Sequence, residues 1–482
     1  MIGDIEMISP MGVKSPCHTA IFLRYPNARQ LPFAVSSFNV AQRISVNYAS
    51  NEPSPIKTNY DVIIAGGGPA GMAAAIASAR SGLETLLIER GHSFGDHTSH
   101  AVVHSISGLY VISQDILPRP ANGGFAMEFA EKLIKNGGAK GPIRIKNLDV
   151  LLQEPLHFSA LCLDLCQREK KLTVVFDSEI LRVEGSDDRI DSVEIRGHEG
   201  AISASAFIDA SSDAHLAFLS GATCESEESA HIPHTAFVLS IRGVAADAND
   251  EETRLMFSHQ IVSGIHDRLL DPELATVVMC PSSFSDPVRL FINLDVEADQ
   301  HTSLHPEALT RVQILGSQLS SQLQHHLRQT VPGFENCLVS ILPHAAPARA
   351  SRRVAGRYKL TADDITQSPN FQDTVCLSAW PIEVKPSSPD AATKKLADHK
   401  PCGIPLRSLI SKDFKNLLMA GRCISSKHDS QGALRVIGTH LAIGEAAGLA
   451  AAEIVRSPEK MIPQGSEADV AGPILKTILE GI

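Results

Sequence analysis

The sequence is poor in the features that mark several specialised classes of protein. Aromatic residues make up 5% of its 482 residues, and there is a single Trp. The 43 Lys and Arg residues are outnumbered by 54 Asp and Glu residues, which gives a formal net charge of −11. Because a nucleic-acid-binding surface needs a basic face, we expect no nucleic-acid partner.

Long hydrophobic runs are also missing. A membrane-spanning helix needs about 20 predominantly apolar residues, and the strongest candidate stretch, 436–455, contains His440 and Glu445. We interpret this stretch as a buried helix. The sequence therefore predicts a soluble protein without a membrane span.

The cysteines do not form the patterns of a metal or redox site. None of the nine belongs to a C-x-x-C motif, and Cys162 and Cys166 stand one helical turn apart without further ligands nearby. Scattered cysteines in a large chain are typical of a reducing compartment. We therefore expect no iron–sulfur cluster and no other metal site.

Acidic residues are absent between Met7 and Asn51, where basic residues are spread among many serines. This composition is typical of an organelle transit peptide, and an upstream extension or a disordered tail would explain it equally well. The expected location is therefore cytoplasmic or, if the segment is a transit peptide, the interior of an organelle.

The stretch 60–91 has the pattern of a nucleotide-binding βαβ unit. A β-branched run at 61–65 predicts a buried parallel strand, and a G-x-G-x-x-G motif follows at Gly66, Gly68 and Gly71. A helix rich in small residues comes next, and a second strand at 85–88 leads to Glu89. The motif is weak evidence alone, but here every part of the unit is in register.

Each residue of this motif has a physical role in binding a dinucleotide. Gly66 allows the tight turn, Gly68 lets the backbone approach a pyrophosphate, and Gly71 lets the helix pack closely on the strand. The helix N-terminus directs free N–H groups and a positive dipole at the phosphates. Glu89 would bind the adenosine ribose and disfavour a 2′-phosphate. The alternative is a glycine-rich turn in an ordinary α/β domain.

The rest of the chain predicts a return to the same sheet and a separate inserted domain. Strand patterns at 172–176, 180–183, 192–195 and 207–209 indicate a strand followed by a three-stranded meander. Alternating runs at 235–242 and 288–295, with a helical stretch at 306–329, indicate a separate α+β unit. The predicted parts are an extension (1–58), the first part of the nucleotide-binding domain (59–229), an inserted substrate domain (230–343) and the second part of the first domain (344–482).

Four blocks of the sequence together resemble a known family. They are YDVIIAGGGPAGMAAAIASARSG from Tyr60, FIDASSDAHLAFLSGA from Phe207, PARASRRVAGRYKLTADDI from Pro347, and the glycine- and alanine-rich region from Gly403 to Ala452. The chain resembles FAD-dependent oxidoreductases of the glutathione-reductase type and, more distantly, the fumarate reductase and succinate dehydrogenase flavoproteins. The resemblance implies a Rossmann-like FAD-binding domain of the α/β class, with a central parallel sheet and a three-stranded β-meander, and an inserted α+β substrate domain.

The resemblance also implies which residues contact FAD. The ADP part is expected at the first glycine corner and at the second block: Gly66, Gly68, Pro69, Ala70, Gly71, Glu89, Arg90, Asp209 and Ala210. The diphosphate and ribityl chain are expected near Gly421 and Arg422, and the flavin ring near Arg435 and Gly444. The N-terminus of the helix from Gly438 is expected to present N–H groups to the pyrimidine edge of the flavin.

This chain departs from the family pattern at several places, among them His440 and the stretch from Trp380, and two of the departures bear on how FAD is held. Ser211, Ser212 and Asp213 stand where Thr-Gly-Asp is usual, which leaves close backbone approach at that point open. His97 and Thr98 resemble the His-Thr pair of succinate-dehydrogenase-like flavoproteins, in which that His is bonded to FAD. Whether FAD is covalently attached here is therefore also open.

Histidine is the natural base for a reaction that removes a hydride and a proton, because its ordinary pKa is near neutrality. The candidates, in order of preference, are His97, His440 and His428. His97 shares its loop with His100 and His104, and for these three a hydrogen bond to loop backbone is the alternative role. A basic cluster in the third block consists of Arg349, Arg352 and Arg353. One of these, Arg349 first, could bind a substrate carboxylate or stabilise reduced flavin, and a structural salt-bridge network is the alternative.

These observations predict an FAD-dependent oxidoreductase that dehydrogenates a small organic metabolite by hydride transfer to flavin N5. A flavin-dependent monooxygenase and a non-catalytic or electron-transfer flavoprotein are the alternatives. The W-x-W-x-I-P signature of tryptophan halogenases is absent, since Trp380 is the single Trp. The expected partner is a small-molecule substrate, and the sequence names neither that substrate, nor the electron acceptor, nor the oligomeric state.

Overall fold

The computed structural model describes residues 55–95, 98, 101–113, 117–145, 147–226, 235–280, 288–294, 306–343, 351–382, 400–457, 459 and 461–480. The strands are β1 (Asn59–Ala65), β2 (Thr85–Ile88), β3 (Ser105–Ile106), β4 (Ala139–Ile145), β5 (Leu148–Gln153), β6 (Leu172–Val175), β7 (Ile180–Ser186), β8 (Arg189–Ile195), β9 (Ile202–Asp209), β10 (Cys224–Glu225), β11 (Thr235–Arg242), β12 (Val278–Cys280), β13 (Val288–Leu294), β14 (Leu338–Ile341), β15 (Arg353–Val354), β16 (Thr374–Ser378), β17 (Cys402–Pro405) and β18 (Leu417–Met419). The helices are α1 (Pro69–Arg80), α2 (Gly124–Lys135), α3 (Pro155–Arg168), α4 (His215–Leu219), α5 (Glu251–His266), α6 (Pro306–Thr330), α7 (Ala362–Gln367), α8 (Gln431–Leu434), α9 (Ile437–Arg456) and α10 (Glu467–Leu479).

The largest sheet has seven strands in the order β6-β2-β1-β9-β8-β7, with β18 also beside β9. Strands β6, β2, β1, β9 and β18 run parallel, whereas β7, β8 and the start of β9 form an antiparallel meander. The last four residues of β1 and all of β2 are buried, as expected for parallel strands that are covered on both faces. The predicted parallel sheet with a three-stranded meander is confirmed.

Two helices from opposite ends of the sequence cover one another and this sheet. In α1, every residue from Ala70 to Ala79 is buried, and most of them are alanines. In α9, alanines and glycines again supply most of the buried positions. Small side chains on both helices allow their backbones to approach closely, and this joins the first and last parts of the chain in one core.

Four further sheets occur in the described part of the chain, and two of them, β10-β15 and β16-β17, have only two strands each. A small sheet in the order β3-β5-β4 was not predicted, and a four-stranded sheet has the order β12-β13-β11-β14. In the latter, β11 pairs with β13 in antiparallel register, as the alternating patterns predict. This sheet and helices α5 and α6 share a hydrophobic core of their own, which contains Phe237, Phe257, Leu323 and Phe334.

The chain leaves the first core and returns to it at adjacent strands. Cys224 of β10 pairs with Val354 of β15, so the residues between them form a loop that starts and ends at one place. The predicted domain boundaries at 230 and 344 lie outside the described residues, and these boundaries stay predictions. None of the helices in the described part of the chain has the length and apolar character that crossing a membrane requires.

Candidate functional site

The first glycine corner joins β1 to α1. Gly66 has a φ of +99°, and a Cβ atom there would lie 2.5 Å from the carbonyl oxygen of Ala210. A Cβ on Gly71 would lie 1.8 Å from the carbonyl oxygen of Gly66, whereas, apart from the two chain neighbours, no described residue has an atom within 4 Å of a Cβ built on Gly68. The packing of the corner therefore requires two of the glycines, and the backbone at Gly68 stays open towards a ligand.

The N-terminus of α1 follows this open backbone. Pro69 occupies the first turn, and the preceding residue, Gly68, offers no side chain to cap the helix. The N–H groups of the first turn and the positive end of the helix dipole are therefore available to a phosphate group.

Glu89, at the end of β2, lies against the same corner. Its side chain is buried, and its carboxylate accepts hydrogen bonds from the N–H groups of Gly67 and, at 2.6 Å, of Gly91. These bonds fix the orientation of the carboxylate. The ribose contact expected for Glu89 stays a prediction.

A cleft of about 230 Å³ opens at the carboxyl ends of β1, β2 and β9. Ligands of open α/β sheets bind outside the carboxyl ends of the strands. Five residues of the cleft lining were predicted to contact the cofactor: Gly66, Gly68, Glu89, Arg90 and Ala210. The structure thus brings together the predicted residues of two blocks that lie more than a hundred positions apart in sequence.

Other residues of the cleft lining were not predicted. Ile180 opens the meander and His215 opens α4, and a ring nitrogen of His215 lies 2.9 Å from the carbonyl oxygen of Ile180. Arg352, which was expected near a substrate carboxylate or the flavin, lines this cleft as well. His215 belongs to the second block, which was already predicted to contact the cofactor, so its position in that block could have identified it as a residue of this site.

Asp209, at the end of β9, organises the loop that follows it. Its carboxylate accepts hydrogen bonds from the hydroxyl of Ser211 at 2.6 Å and from the N–H group of Ala217 at 2.8 Å. Burial raises the pKa of the Asp209 carboxyl above its ordinary value, and these hydrogen bonds oppose the rise. The contacts show how Asp209 holds the loop in place, and its predicted contact with FAD stays a prediction.

This loop adopts the backbone shape of a glycine-containing turn without a glycine. Ser212 has a φ of +67° and Ala214 a φ of +53°, both in the left-handed region. That region costs a residue with a Cβ about 1–2 kcal/mol. Serine in place of the usual glycine therefore leaves the turn intact, at a cost in stability.

The second glycine corner follows β18. Gly421 has a φ of +76°, and a Cβ there would lie 3.1 Å from the Cβ of Ala70 in α1. The guanidinium of Arg422 forms an ion pair with Asp213 at 2.7 Å and donates to the carbonyl oxygen of Ser212 at 3.1 Å. Arg422 thus joins the second corner to the loop after β9, and its predicted contact with the diphosphate stays a prediction.

The two corners meet where α9 crosses α1. A Cβ on Gly444 would lie 2.1 Å from the carbonyl oxygen of Ala70, and one on Gly448 would lie 2.4 Å from that of Ala74. Gly444 was predicted to lie near the flavin ring. The structure gives a different reason for a glycine at this position, namely the close approach of two backbones.

The N-terminal turn of α9 packs against the residues after β3. The N–H group of Gly438 donates to the carbonyl oxygen of Ser107 at 2.9 Å, so this N–H group already has a protein acceptor. Thr439 is fully buried, and its hydroxyl makes no hydrogen bond with any described residue. His440, in the same turn, is half-buried.

The described residues include one of the three predicted catalytic side chains, His440. His97 and Arg349 lie outside the described residues. The lower-ranked candidate His428 opens a short 3₁₀ turn before α8, and Arg435 follows the last residue of α8. All of these roles stay predictions.

A polar junction connects the small sheet to the four-stranded sheet. Arg289 of β13 is buried and donates to both carboxylate oxygens of Glu154, at 2.8 and 3.0 Å, and to the hydroxyl of Ser240. Next to Glu154, the N–H group of Gln153 donates to the carbonyl oxygen of His104 at 2.8 Å. Burial, together with the charge of Arg289, lowers the pKa of His104 to about 4. These residues come from distant parts of the sequence, and no local pattern indicated the junction.

Residues 61–463 match a family model described as FAD dependent oxidoreductase. The chain belongs to this family. A stretch of 79 residues is 40% identical to thioredoxin reductases of Listeria monocytogenes and Listeria innocua, and it covers 16% of this chain and 25% of each of those proteins. The chain therefore matches about a quarter of the length of these relatives.

Two solved structures show a likeness over most of the chain at low identity. A geranylgeranyl bacteriochlorophyll reductase-like protein from Thermoplasma acidophilum has a TM-score of 0.38 and 13% identity, covering 87% of this chain and 84% of its own. The p-nitrophenol 4-monooxygenase of Pseudomonas putida DLL-E4 has a TM-score of 0.38 and 11% identity, covering 88% and 87%. At these values the likeness says nothing about substrate or reaction.

The cofactor of this family is FAD, and three observations show that the residues present fit it. The backbone is open at Gly68, where a diphosphate would lie against the N-terminus of α1. The cleft at the strand ends has the ribose-binding candidate Glu89 in its wall. In the N-terminal turn of α9, the buried hydroxyl of Thr439 offers a hydrogen bond that no described residue takes. No group of three His, Cys, Asp or Glu side chains that could hold a metal ion occurs in the described part of the chain.

Proposed function

We propose that this flavoprotein is a dehydrogenase or oxidase that removes a hydride and a proton from a small organic metabolite. FAD, when bound, supplies the hydride acceptor, at flavin N5. The substrate carbon loses a hydride and an adjacent group loses a proton, so the protein must orient the substrate, exclude water and accept that proton.

The observation that carries this proposal is that the residues flanking β3, His104 and Ser107, lie between the N-terminal turn of α9 and the four-stranded sheet. On one side, Ser107 accepts the N–H group of Gly438 at the start of α9. On the other side, the carbonyl oxygen of His104 accepts the N–H group of Gln153, and the charge of Arg289 adds to the effect of burial in lowering the pKa of the His104 ring. A fixed contact of this kind supports a substrate site closed by the inserted sheet, which a pure electron-transfer protein would not need.

The junction also offers groups that can orient a polar substrate. Three of its buried atoms make no hydrogen bond with described residues: Nδ1 of His104, Oε1 of Gln153 and Nε of Arg289. Buried polar atoms of native proteins are usually paired, so a polar group or a water molecule at this place would be stabilised. In this proposal His440 accepts the proton, with His97 as the other candidate base, and Arg349 binds a substrate carboxylate.

Anaerobic reduction of the purified holoprotein by a panel of small alcohols, amines, hydroxy acids and amino acids tests the proposal. We expect one chemical class to bleach the flavin absorbance at a rate that saturates with concentration. Reoxidation is then followed in the presence of oxygen by stopped-flow spectroscopy. The proposal is wrong if the metabolites leave the cofactor oxidised, NADH or NADPH reduces it, and its reoxidation by oxygen passes through a transient absorbance signal. That combination is the behaviour of a monooxygenase. A protein that responds to none of these reductants is a non-catalytic flavoprotein.

A further inference from the structure

Arg352 occupies a fixed position in the wall of the cleft at the carboxyl ends of β1, β2 and β9. Its guanidinium carbon lies 4.0 Å from the ring centroid of Phe218, and its Nε donates to the carbonyl oxygen of Asp213 at 3.0 Å. The side chain is half-buried and shares the cleft with Gly68 and Glu89. Two independent contacts therefore hold a cation beside the open backbone of the first glycine corner.

The other arginines near this cleft are positioned differently. Arg422 is engaged by Asp213 in an ion pair whose partners are each 6% exposed. Arg353 is buried and donates to the carbonyl oxygen of Ser426 at 2.8 Å. Arg90 lines the cleft but is exposed to solvent. Arg352 is thus the half-buried arginine of the cleft wall, and its terminal nitrogens make no hydrogen bond with described residues.

We propose that Arg352 binds the diphosphate of FAD and that Phe218 and the Asp213 carbonyl hold its guanidinium in place for this purpose. A diphosphate needs fixed hydrogen-bond donors and positive charge, and a planar guanidinium supplies both in a bidentate geometry. The assignment places Arg352 at the adenosine half of the cofactor instead of at the substrate. It depends on the cofactor of the family and not on which reaction the protein catalyses.

The environment of Phe218 supports the assignment. Phe218 is 54% exposed on the short helix α4, and the Arg352 guanidinium covers its ring. A cation over an aromatic face is attracted by the ring quadrupole, and this contact holds the guanidinium plane in one orientation. A lysine keeps the charge but cannot stack in this way, so the residue type itself is expected to matter.

The test measures release of FAD from the full-length holoprotein after dilution, followed as the rise of flavin fluorescence. We expect Arg352→Gln to release FAD about 10- to 100-fold faster than the wild type, with Arg352→Lys and Phe218→Leu in between. Arg182→Gln, which removes an arginine whose side chain is 65% exposed on β7, serves as the control and is expected to leave the rate unchanged. Thermal unfolding of each variant shows whether the fold is kept.

A competition experiment separates a phosphate contact from a purely structural role. ADP and adenosine are titrated against each holoprotein, and displaced FAD is read by fluorescence. If Arg352 binds the diphosphate, Arg352→Gln lowers the ratio of ADP affinity to adenosine affinity about tenfold. Both ligands displace the same FAD, so any change in FAD affinity cancels in this ratio. An unchanged ratio or an unchanged release rate overturns the proposal. If acid precipitation shows that FAD is covalently attached, the same comparisons are made in the His97→Ala background.

Discussion

The carbonyl oxygen of Ala70 lies 2.1 Å from the position that a Cβ atom on Gly444 would occupy. Ala70 belongs to the first turn of α1, directly after the first glycine corner, and Gly444 belongs to α9, which follows the second corner. The distance is far below any normal contact between carbon and oxygen. The convergence of the two corners therefore depends on the absence of a side chain at Gly444.

We expect Gly444→Ala to lower the free energy of unfolding by about 3 kcal/mol and to reduce the FAD content of the purified protein, because α9 must move away from α1. Gly472→Ala is the matched control, since a Cβ on this glycine of α10 meets no described atom within 4 Å beyond its chain neighbours and its own helix backbone. Because Pro473 follows and disfavours a helical residue with a Cβ before it, this control should be close to neutral or slightly destabilising, well short of the loss expected for Gly444→Ala. Urea unfolding and the absorbance ratio of flavin to protein measure both effects. Equal effects of the two substitutions would contradict the packing argument.

The nucleotide-binding core could be predicted because its signals are local and continuous. The strand, glycine turn and helix from Asn59 to Arg80 follow one another without interruption, and each has its own pattern. The small sheet was missed because its signals are weak. Strand β3 has only two residues, and β4 contains Gly141 and Pro142, a pair that usually indicates a turn.

Helix α5 was missed for a different reason. Leu255 and Val262 lie on its exposed side, at 64% and 67% exposure, which blurs the separation of apolar and polar faces by which a surface helix is recognised. Local patterns identify a helix only when the apolar residues share one face.

The site shows the same division between local and long-range information. Gly66, Gly68 and Glu89 were found because one motif carries all three. The place of Arg352 in the wall of the cleft at the strand ends results from packing between segments more than a hundred residues apart, which one sequence cannot reveal. For Gly444 the residue type was informative but ambiguous, because a glycine serves close helix packing and close cofactor approach equally well.

Ser212 provides a test of backbone strain in the cleft loop. Its φ of +67° lies in the left-handed region, and its carbonyl oxygen accepts hydrogen bonds from Arg422 and Ser351. We expect Ser212→Gly to raise the free energy of unfolding by about 1 kcal/mol, because glycine adopts this conformation without a steric cost.

The control for this prediction is Ser220→Gly. Ser220 has an ordinary right-handed φ of −75° after α4, and a glycine there should destabilise the protein by about 0.5–1 kcal/mol. Thermal unfolding of both variants measures the difference in sign. Destabilisation by Ser212→Gly would show that the serine side chain contributes more than its backbone conformation costs.

Glu445 gives the protein a pH dependence that can be isolated. Burial raises the pKa of its carboxyl to about 7 from an ordinary 4.5; the N–H group of Phe125 and the charge of Arg80 oppose the rise, while Glu128 adds to it. Below pH 4.5 the carboxyl is protonated in both the folded and the unfolded state. As the pH rises from 4.5 through 7, the carboxyl ionises in the unfolded state before it ionises in the folded state. The free energy of unfolding therefore falls over this range.

Glu445→Gln keeps an acceptor for Phe125 without a titrating group. The free energy of unfolding of this variant, relative to the wild type, should therefore increase by about 2–4 kcal/mol between acid and slightly alkaline pH. Glu453→Gln, at an exposed position of the same helix, should show no such trend. Parallel curves for wild type and Glu445→Gln, measured by urea unfolding across this range, would show that the carboxyl titrates normally.

The choice among the three candidate bases can be made from kinetics. His440 lies in the first turn of α9, beside the buried hydroxyl of Thr439 and at the corner where the flavin ring is expected. If it accepts the substrate proton, His440→Gln should slow anaerobic reduction of the bound cofactor about 10²- to 10⁴-fold and leave the FAD content unchanged. The inflection that a titrating base gives to the pH profile of the reduction rate should disappear in the same variant.

His97→Gln and His428→Gln complete this comparison. Since a proton acceptor must lie within hydrogen-bond reach of the group it deprotonates, only one of the three substitutions should remove the inflection. A large rate loss with the inflection retained in His440→Gln would indicate that the residue positions the substrate. A loss of the inflection in His97→Gln alone would move the base from the start of α9 to the loop after β2, and the hydride donor would then have to approach the flavin from that side.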